Sequence, residues 1–253
     1  MNGNATEQYN YEMDPTVAGK IAGAQDLHRL IPEEELAGLQ PVDLSRSRYR
    51  AAKRLLDVVI SLLTLAVLFL PMGIVALAIF IDDPGRVIFK QNRVGRGGRS
   101  FKIYKFRSMK KDTPKYLSTA EVGDPEKYIT RLGRFLRKSS IDELPQLINV
   151  LKGDMSLVGP RPLIADEYEI HAMRLKYGVY AIRPGVTGLA QINGRDTVCP
   201  AEKVKWDVRY LQHFGFPMDA KILFLTFQKV LGRSGVVEGY NFESYKEKNA
   251  KSA

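Results

Sequence analysis

The chain has 253 residues and a formal net charge of +10, with 38 Lys and Arg residues against 28 Asp and Glu residues. This excess of positive charge indicates a polyanionic partner, which nucleic acid, anionic lipid or a nucleotide substrate would each satisfy. The single cysteine, Cys199, excludes an internal disulfide, and the 3 histidines lie too far apart in the sequence to suggest a zinc motif. Carboxylates are therefore expected to carry any chemistry.

Residues 1–48 are polar and are predicted to form an N-terminal arm, with an acidic helix start at Pro32, Glu33, Glu34 and Glu35. This end of the chain lacks the early positive charge and the apolar core of a secretory signal. We therefore expect the bulk of the protein to stay in the cytoplasm.

An uncharged apolar run extends from Val58 to Ile81. As a helix, this run would measure about 36 Å, enough for a hydrocarbon core of ~30 Å. Its Leu, Ile, Val and Phe side chains favour insertion by roughly 5 to 10 kcal/mol, which exceeds the ~3 kcal/mol that Pro71 costs inside a helix. Because proline removes a backbone hydrogen bond, we expect a bend at Pro71.

Both flanks of this run are basic, with Lys53 and Arg54 before it and Arg86 and Lys90 after it. The positive-inside rule disfavours the translocation of either flank, so we predict a re-entrant membrane helix over residues 49–85 that returns to the cytoplasmic face. A proline-kinked single span and the buried core helix of a soluble protein are the alternatives. If the helix spans, the chemistry still faces the cytoplasm.

Residues 86–238 predict a compact α+β domain that is mainly helical, followed by a C-terminal tail over residues 239–253. Residues 86–89 and 100–106 are rich in β-favouring side chains on either side of a glycine-rich turn, which predicts a hairpin. Residues 112–128 predict a polar loop near a site. Apolar spacing predicts helices over residues 128–136, 144–151, 165–177, 201–213 and 220–231. The last has a cationic and an apolar face, so it would suit the membrane surface or the domain core equally well.

Residues 137–162, RKSSIDELPQLINVLKGDMSLVGPRP, carry the candidate site. Ser140 and Glu143 match a capping box, which alone would explain the acidic pair Asp142 and Glu143 at a helix start. Pro145 argues against Ser140 as the cap, because Pro145 would then remove a hydrogen bond inside the helix. A start nearer Asp142 places Pro145 in the first turn and lets both carboxylates face a ligand.

These residues, with KFRSM at residues 105–109 and RPGVTGLAQINGR at residues 183–195, resemble the bacterial sugar transferases, the monotopic phosphoglycosyl transferases. The resemblance covers residues 51–238. It implies that Asp142 attacks the β-phosphate of a UDP-sugar and that Glu143 is its metal-associated partner, so that the pair would hold Mg²⁺. It also implies substrate-binding roles for five basic residues, which are Arg137, Arg161, Lys105, Arg107 and Arg195.

The function implied by the resemblance is transfer of a sugar 1-phosphate from a UDP-sugar to undecaprenyl phosphate, with release of UMP, at the start of capsular, exopolysaccharide or related glycan synthesis. We expect the protein in the bacterial inner membrane, with its catalytic domain and interfacial amphipathic helices at the cytoplasmic face. We expect the protein to contact an anionic lipid bilayer and not to bind nucleic acid. The sequence leaves open whether it forms a homo-oligomer. The rivals are a basic membrane-anchored module that binds polyanions and a membrane glycosyltransferase that releases UDP.

Overall fold

The computed structural model describes residues 13–23, 36, 38–42, 44, 48–113, 125–194 and 199–232. Over these residues the chain is mainly helical, as predicted. The helices are α1 (Pro15–Gly23), α2 (Tyr49–Asp82), α3 (Arg131–Ser139), α4 (Gln146–Lys152), α5 (Tyr168–Lys176), α6 (Leu189–Ile192), α7 (Pro200–Gln212) and α8 (Phe216–Leu231). The strands are β1 (Ile88–Val94), β2 (Ser100–Phe106), β3 (Ser156–Val158) and β4 (Gly185–Thr187). β1 and β2 pair antiparallel, whereas β3 and β4 pair in parallel.

Helix α2 is 34 residues long and continues through Pro71. Its length and composition would allow it to cross a membrane. Apolar side chains along it are open to the surroundings, with Val67, Phe69 and Leu70 76, 79 and 72% exposed. The core helix of a soluble protein would bury such side chains, so that alternative is wrong. The apolar helix itself is confirmed, while the bend at Pro71 and the re-entrant path stay predictions.

Polar contacts anchor the first half of α2 to the rest of the domain. Arg54 donates hydrogen bonds to two backbone carbonyls at the end of α4, at 2.6 and 2.9 Å. Asp57 accepts a hydrogen bond of 3.0 Å from the backbone amide of Leu157 in β3. The Lys53 ammonium group lies 2.5 Å from the Asp219 carboxylate of α8. These contacts fix the start of the long helix on the domain.

The other end of α2 contacts the same domain. Ile79 belongs to a buried cluster with Phe106 of β2 and Leu136 of α3. The backbone carbonyl of Asp83, immediately after the helix, accepts a hydrogen bond from Arg107. Both ends of this 34-residue helix are therefore fixed on one domain.

The predicted hairpin is confirmed, with a correction to its first strand. β1 covers Ile88–Val94 rather than residues 86–89, whereas β2 covers Ser100–Phe106 as predicted. Lys90 and Arg93 lie inside β1, and charged residues of this kind weaken the strand signal in a sequence. The connecting turn contains Gly97 with a φ of 69°, a left-handed conformation that glycine adopts without strain.

The predicted helices of the domain are confirmed, with ends that differ by up to four residues. Helix α6 and the parallel pair of β3 and β4 were not predicted, because segments of three or four residues carry too little periodicity. Helix α1 also escaped prediction. It lies within the polar arm, and Val17 packs in a buried cluster with Val94, Leu175 and Tyr180. The predicted helix start at residues 32–35, residues 114–124 of the predicted loop and the tail lie outside the described residues.

The main core lies between α4, β3, α7 and α8, where Val150, Met155 and Ile222 are fully buried. Helix α8 presents Ile222 to this core, while Phe224 and Phe227 on the same helix are 60 and 62% exposed. One face of α8 therefore packs on the domain and another carries uncovered aromatic rings. The sequence left open whether residues 220–231 lie on the membrane surface or pack against the domain core. The structure shows the packing against the core, and contact of the exposed face with a membrane stays a prediction.

Candidate active site

The acidic pair lies in a short 3₁₀ turn, Ile141–Glu143, between α3 and α4. Ser140 has a φ of 58°, and its side chain makes no capping hydrogen bond, so the capping box does not form. The α-helix begins at Gln146 with Pro145 as its N-cap, where the missing proline amide costs no helical hydrogen bond. The predicted start near Asp142 is therefore correct for the 3₁₀ turn and four residues too early for the α-helix. Neither carboxylate is needed to cap α4.

Glu143 is held between two cations from different parts of the chain. Its Oε1 atom accepts a hydrogen bond of 2.7 Å from the Lys105 ammonium group of β2. The same oxygen lies 3.6 Å from Nη1 of Arg161, in the loop after β3. The side chains of Lys105 and Glu143 are 19 and 21% exposed, so this cluster is partly desolvated and still open to a ligand. In such surroundings a charge-assisted hydrogen bond is stronger than it is in water.

Asp142 is more buried than Glu143, with 7% of its surface exposed. It directly precedes Glu143 in the 3₁₀ turn, and Glu143 belongs to the Lys105–Glu143–Arg161 cluster. A carboxylate next to such a cluster would suit nucleophilic attack on an anionic substrate, because the cations offset the repulsion.

The other predicted binding residues are three arginines. Arg137 is in the last turn of α3, five positions before Asp142. Arg107 contacts Asp83 at the end of α2, with 3.5 Å between Nη2 and Oδ2, and so ties the long helix to the hairpin. Arg195 lies outside the described residues. The roles of these three arginines in substrate binding stay predictions.

A small cleft lies beside the cluster. Lys105, Arg161 and Pro162 line it together with Gln146, Gly185 and Val186 from the segments quoted above, and with Arg93 and Ile103, which the sequence analysis missed. Strand alternation could have indicated Arg93, because it pairs with Phe101, and residues 101, 103 and 105 share one face of β2. The cleft therefore has several cations around it, as an anionic ligand requires.

Asp142 and Glu143 are the residues at the site that could hold a magnesium ion. Asp142 and Glu143 are adjacent carboxylates, and in the part of the chain that the structure describes no group of three or more His, Cys, Asp or Glu side chains could hold a metal ion. Mg²⁺ is commonly bound by one or two carboxylates together with water and substrate phosphates. Zinc needs three or four protein ligands. Two carboxylates are therefore enough for Mg²⁺ with a phosphate-bearing substrate, and this role stays a prediction.

Comparison with known proteins decides the family. The sequence model of the family described as "Bacterial sugar transferase" matches residues 48–233 and so includes α2, the acidic pair and the cleft. The chain belongs to the bacterial sugar transferases. This match confirms the resemblance seen in the sequence.

Named relatives of this sugar transferase support the assignment. Galactosyl transferase CpsE of Streptococcus agalactiae serotype III (strain NEM316) is 43% identical over 200 residues, which cover 73% of this chain and 43% of the relative. The UDP-glucose:undecaprenyl-phosphate glucose-1-phosphate transferase of Escherichia coli (strain K12) is 40% identical over 205 residues, which cover 76% of this chain and 44% of the relative. A protein of the same name from Caulobacter vibrioides (strain ATCC 19089 / CIP 103742 / CB 15) is 42% identical over 211 residues, 79% of this chain and 78% of the relative. The chain thus spans less than half of the first two relatives and most of the third.

Proposed function

We propose that this bacterial sugar transferase moves a sugar 1-phosphate from a UDP-sugar to undecaprenyl phosphate and releases UMP, as the first step of a capsular, exopolysaccharide or related glycan. The observation that carries the proposal is the partly buried carboxylate pair, in which Glu143 lies between Lys105 and Arg161 beside a cleft. Relatives whose names specify glucose 1-phosphate transfer to undecaprenyl phosphate support it.

The proposed reaction has two displacements at one phosphorus atom. A carboxylate oxygen of Asp142 attacks the β-phosphorus of the donor, and the bond from this phosphorus to the bridging oxygen breaks. UMP leaves with that oxygen and its electron pair, while the phosphosugar stays on Asp142. An oxygen of undecaprenyl phosphate then attacks the same phosphorus and returns the electron pair to Asp142. This sequence keeps the two anionic substrates from having to react directly with each other.

Cations at the site match the charges that the reaction handles. Lys105 and Arg161 would bind donor phosphate oxygens and offset the negative charge that develops on UMP as it leaves. Glu143 keeps both cations in place before the donor arrives, because each lies within 3.6 Å of its Oε1 atom. Glu143, with Asp142 beside it, would hold Mg²⁺, which when bound offsets further charge on the diphosphate.

The contacts of α2 support a re-entrant position in the membrane. A straight helix of 34 residues is about 51 Å long, so a membrane crossing would place its two ends on opposite faces. Here Lys53 near the start and Asp83 after the end both bind residues of one domain. That arrangement favours entry and exit on the same face, and the basic flanks favour the cytoplasmic one.

Uncovered apolar side chains support an interfacial position for the domain. Phe135 of α3 is 59% exposed and Ile148 of α4 is 41% exposed. On α8, Phe216, Phe224 and Phe227 are 59, 60 and 62% exposed. Aromatic rings favour the boundary between lipid and water, so these helices would rest at the surface from which a lipid phosphate is presented.

The reaction is tested by measuring nucleotide release from a panel of UDP-sugars with undecaprenyl phosphate and Mg²⁺. The wild type should release UMP with at least one donor, and Asp142→Asn should lose this activity and the lipid-linked phosphosugar. Asp112→Asn is the matched control, because Asp112 is an exposed carboxylate outside the site. Release of UDP would instead indicate a glycosyltransferase, and full activity of Asp142→Asn would rule out the nucleophile.

Membrane topology is tested separately by labelling in intact cells. In a Cys199→Ser background, Arg48→Cys and Arg86→Cys place thiols before and after α2. Neither should react with a membrane-impermeant maleimide until the cells are opened. If one of the two reacts in intact cells, the helix spans the membrane and the re-entrant position is wrong.

A further inference from the structure

The loop that carries Arg161 is held along its backbone. Five consecutive carbonyls each accept a hydrogen bond from one of three other parts of the fold. The pairs are Pro160 with the Gly185 amide at 2.9 Å, Arg161 with Arg174 at 2.8 Å, Pro162 with Arg93 at 3.4 Å, Leu163 with the Val94 amide at 2.9 Å and Ile164 with His171 at 2.8 Å. Residues 160–164 are therefore fixed from both sides, by α5 and by the start of β4 and the end of β1.

Arg174 makes the contact to Arg161 itself. Its Nη1 atom donates to the Arg161 carbonyl, while Nε and Nη2 lie 2.9 and 2.6 Å from Oδ2 of Asp207 in α7. Arg174 and Asp207 are 3 and 1% exposed, so this ion pair is fully inside the domain. The planar guanidinium group can serve both acceptors at once because its donors point in fixed directions.

We infer that Arg174, oriented by Asp207, is a positioning residue for Arg161, an inference that rests on the proposed phosphosugar transfer. The Arg161 guanidinium is 3.6 Å from Glu143, and its side chain is 35% exposed. A long exposed side chain keeps a catalytic geometry only if its backbone is held still. Arg174 and Asp207 supply that restraint from a buried position and do not touch the substrate.

A double-mutant cycle on UMP release tests this role. Arg174→Lys keeps a positive charge next to Asp207 but removes the guanidinium Nη1 group that donates to the Arg161 carbonyl. It should lower kcat/KM by about ten- to a hundredfold, as a displacement of roughly 1 Å at a catalytic group can do. In an Arg161→Ala background, the same change should lower kcat/KM less than twofold, because the group being positioned is already gone. An equal loss in both backgrounds would overturn the inference.

A matched control separates positioning from general destabilisation. Val208→Ala trims a fully buried side chain next to Asp207 on α7 and breaks none of the loop hydrogen bonds. It should lower the melting temperature while leaving kcat/KM within twofold of the wild type. If Val208→Ala reduces kcat/KM as much as Arg174→Lys does, the effect is structural and the inference fails.

Hydrogen exchange provides a readout that is independent of activity. The amides of Arg161, Leu163 and Ile164 should exchange about tenfold faster in Arg174→Lys than in Val208→Ala, because the loop opens without a wider unfolding. Unchanged exchange would contradict the inference. A wild type that releases no UMP would reject the proposed function, yet the exchange comparison would still decide whether Arg174 holds the loop. If Arg174→Lys does not fold, Asp207→Asn enters the same cycle and the same exchange measurement.

Discussion

Replacing Asp219 with asparagine should loosen the start of α2 from the domain. The Asp219 carboxylate accepts hydrogen bonds from Lys53 at 2.5 Å, Tyr49 at 2.9 Å and Tyr210 at 2.6 Å. Lys53 and Asp219 are 7 and 5% exposed, so in the variant the Lys53 ammonium group would stay buried without its carboxylate partner. Removing one partner of a buried pair costs about 3 to 5 kcal/mol.

The expected loss is at the lower end of that range. Asp57 lies 3.9 Å from the Lys53 ammonium group and would compensate part of the lost charge. A loss of about 3 kcal/mol in a chain of this size corresponds to a fall in melting temperature of roughly 6 to 12 °C. Tyr49 donates to Oδ2 and Tyr210 to Oδ1, so the single asparagine oxygen keeps only one of these two acceptor positions, and the fall reports on that loss as well as on the charge pair.

The assay is thermal unfolding of nanodisc-embedded protein, followed by intrinsic fluorescence. The cycle comprises Asp219→Asn, Lys53→Met and the double variant, which should lose at least about 1 kcal/mol less than the two single losses added together. Lys221→Met removes an exposed cation from the same helix and is the control. If Asp219→Asn melts within 2 °C of the wild type, a difference of roughly 1 kcal/mol or less, the buried pair does not anchor α2 and the reasoning is refuted.

Three further outcomes are expected. Lys105→Met removes the ammonium group that lies 2.7 Å from Glu143 and should lower kcat/KM for UMP release about ten- to a hundredfold. An unchanged kcat/KM would contradict a role of Lys105 in the reaction. Burial lowers the pKa of His171 to about 4, so its neutral ring adds about 3 kcal/mol of stability above pH 6.5 that is lost as the pH falls toward 4. Melting temperatures measured over this range should fall less steeply in His171→Gln than in the wild type. Gly133→Ala would place a methyl carbon 1.9 Å from the Ser108 carbonyl and should melt far below the wild type, whereas Gly73→Ala, with nothing within 4 Å, should not.

Much of this site follows from local sequence signals. Pro145 argued against Ser140 as the cap of a regular helix, and the structure confirms that the capping box is absent. The hairpin followed from its glycine-rich turn and β-favouring residues, and the placement of Lys105 on β2 follows from it. Signals of this kind depend on neighbours in sequence, and so one chain without an alignment is sufficient to show them.

Contacts between distant residues could not be read in the same way. Lys53 and Asp219 are separated by 166 positions, and no sequence pattern around either residue predicts that the two make contact. Lys105 and Arg107 are two residues apart, yet only Lys105 reaches Glu143, because β2 ends at Phe106 and the alternation of the strand stops there. The partners of a charged side chain depend on which elements pack together, and only the folded chain specifies this.

The distance along the chain between Lys53 and Asp219 also has a consequence for biosynthesis. At a translation rate of ~5–20 residues per second, Asp219 leaves the ribosome about 8 to 33 seconds after Lys53. The long apolar helix is complete well before then, so the nascent chain carries it while its later anchor does not yet exist. During that interval Asp57, one turn further along the same helix, is the counter-charge at hand for Lys53. We therefore expect Asp57 to pair with Lys53 on the nascent chain before Asp219 completes the mature arrangement.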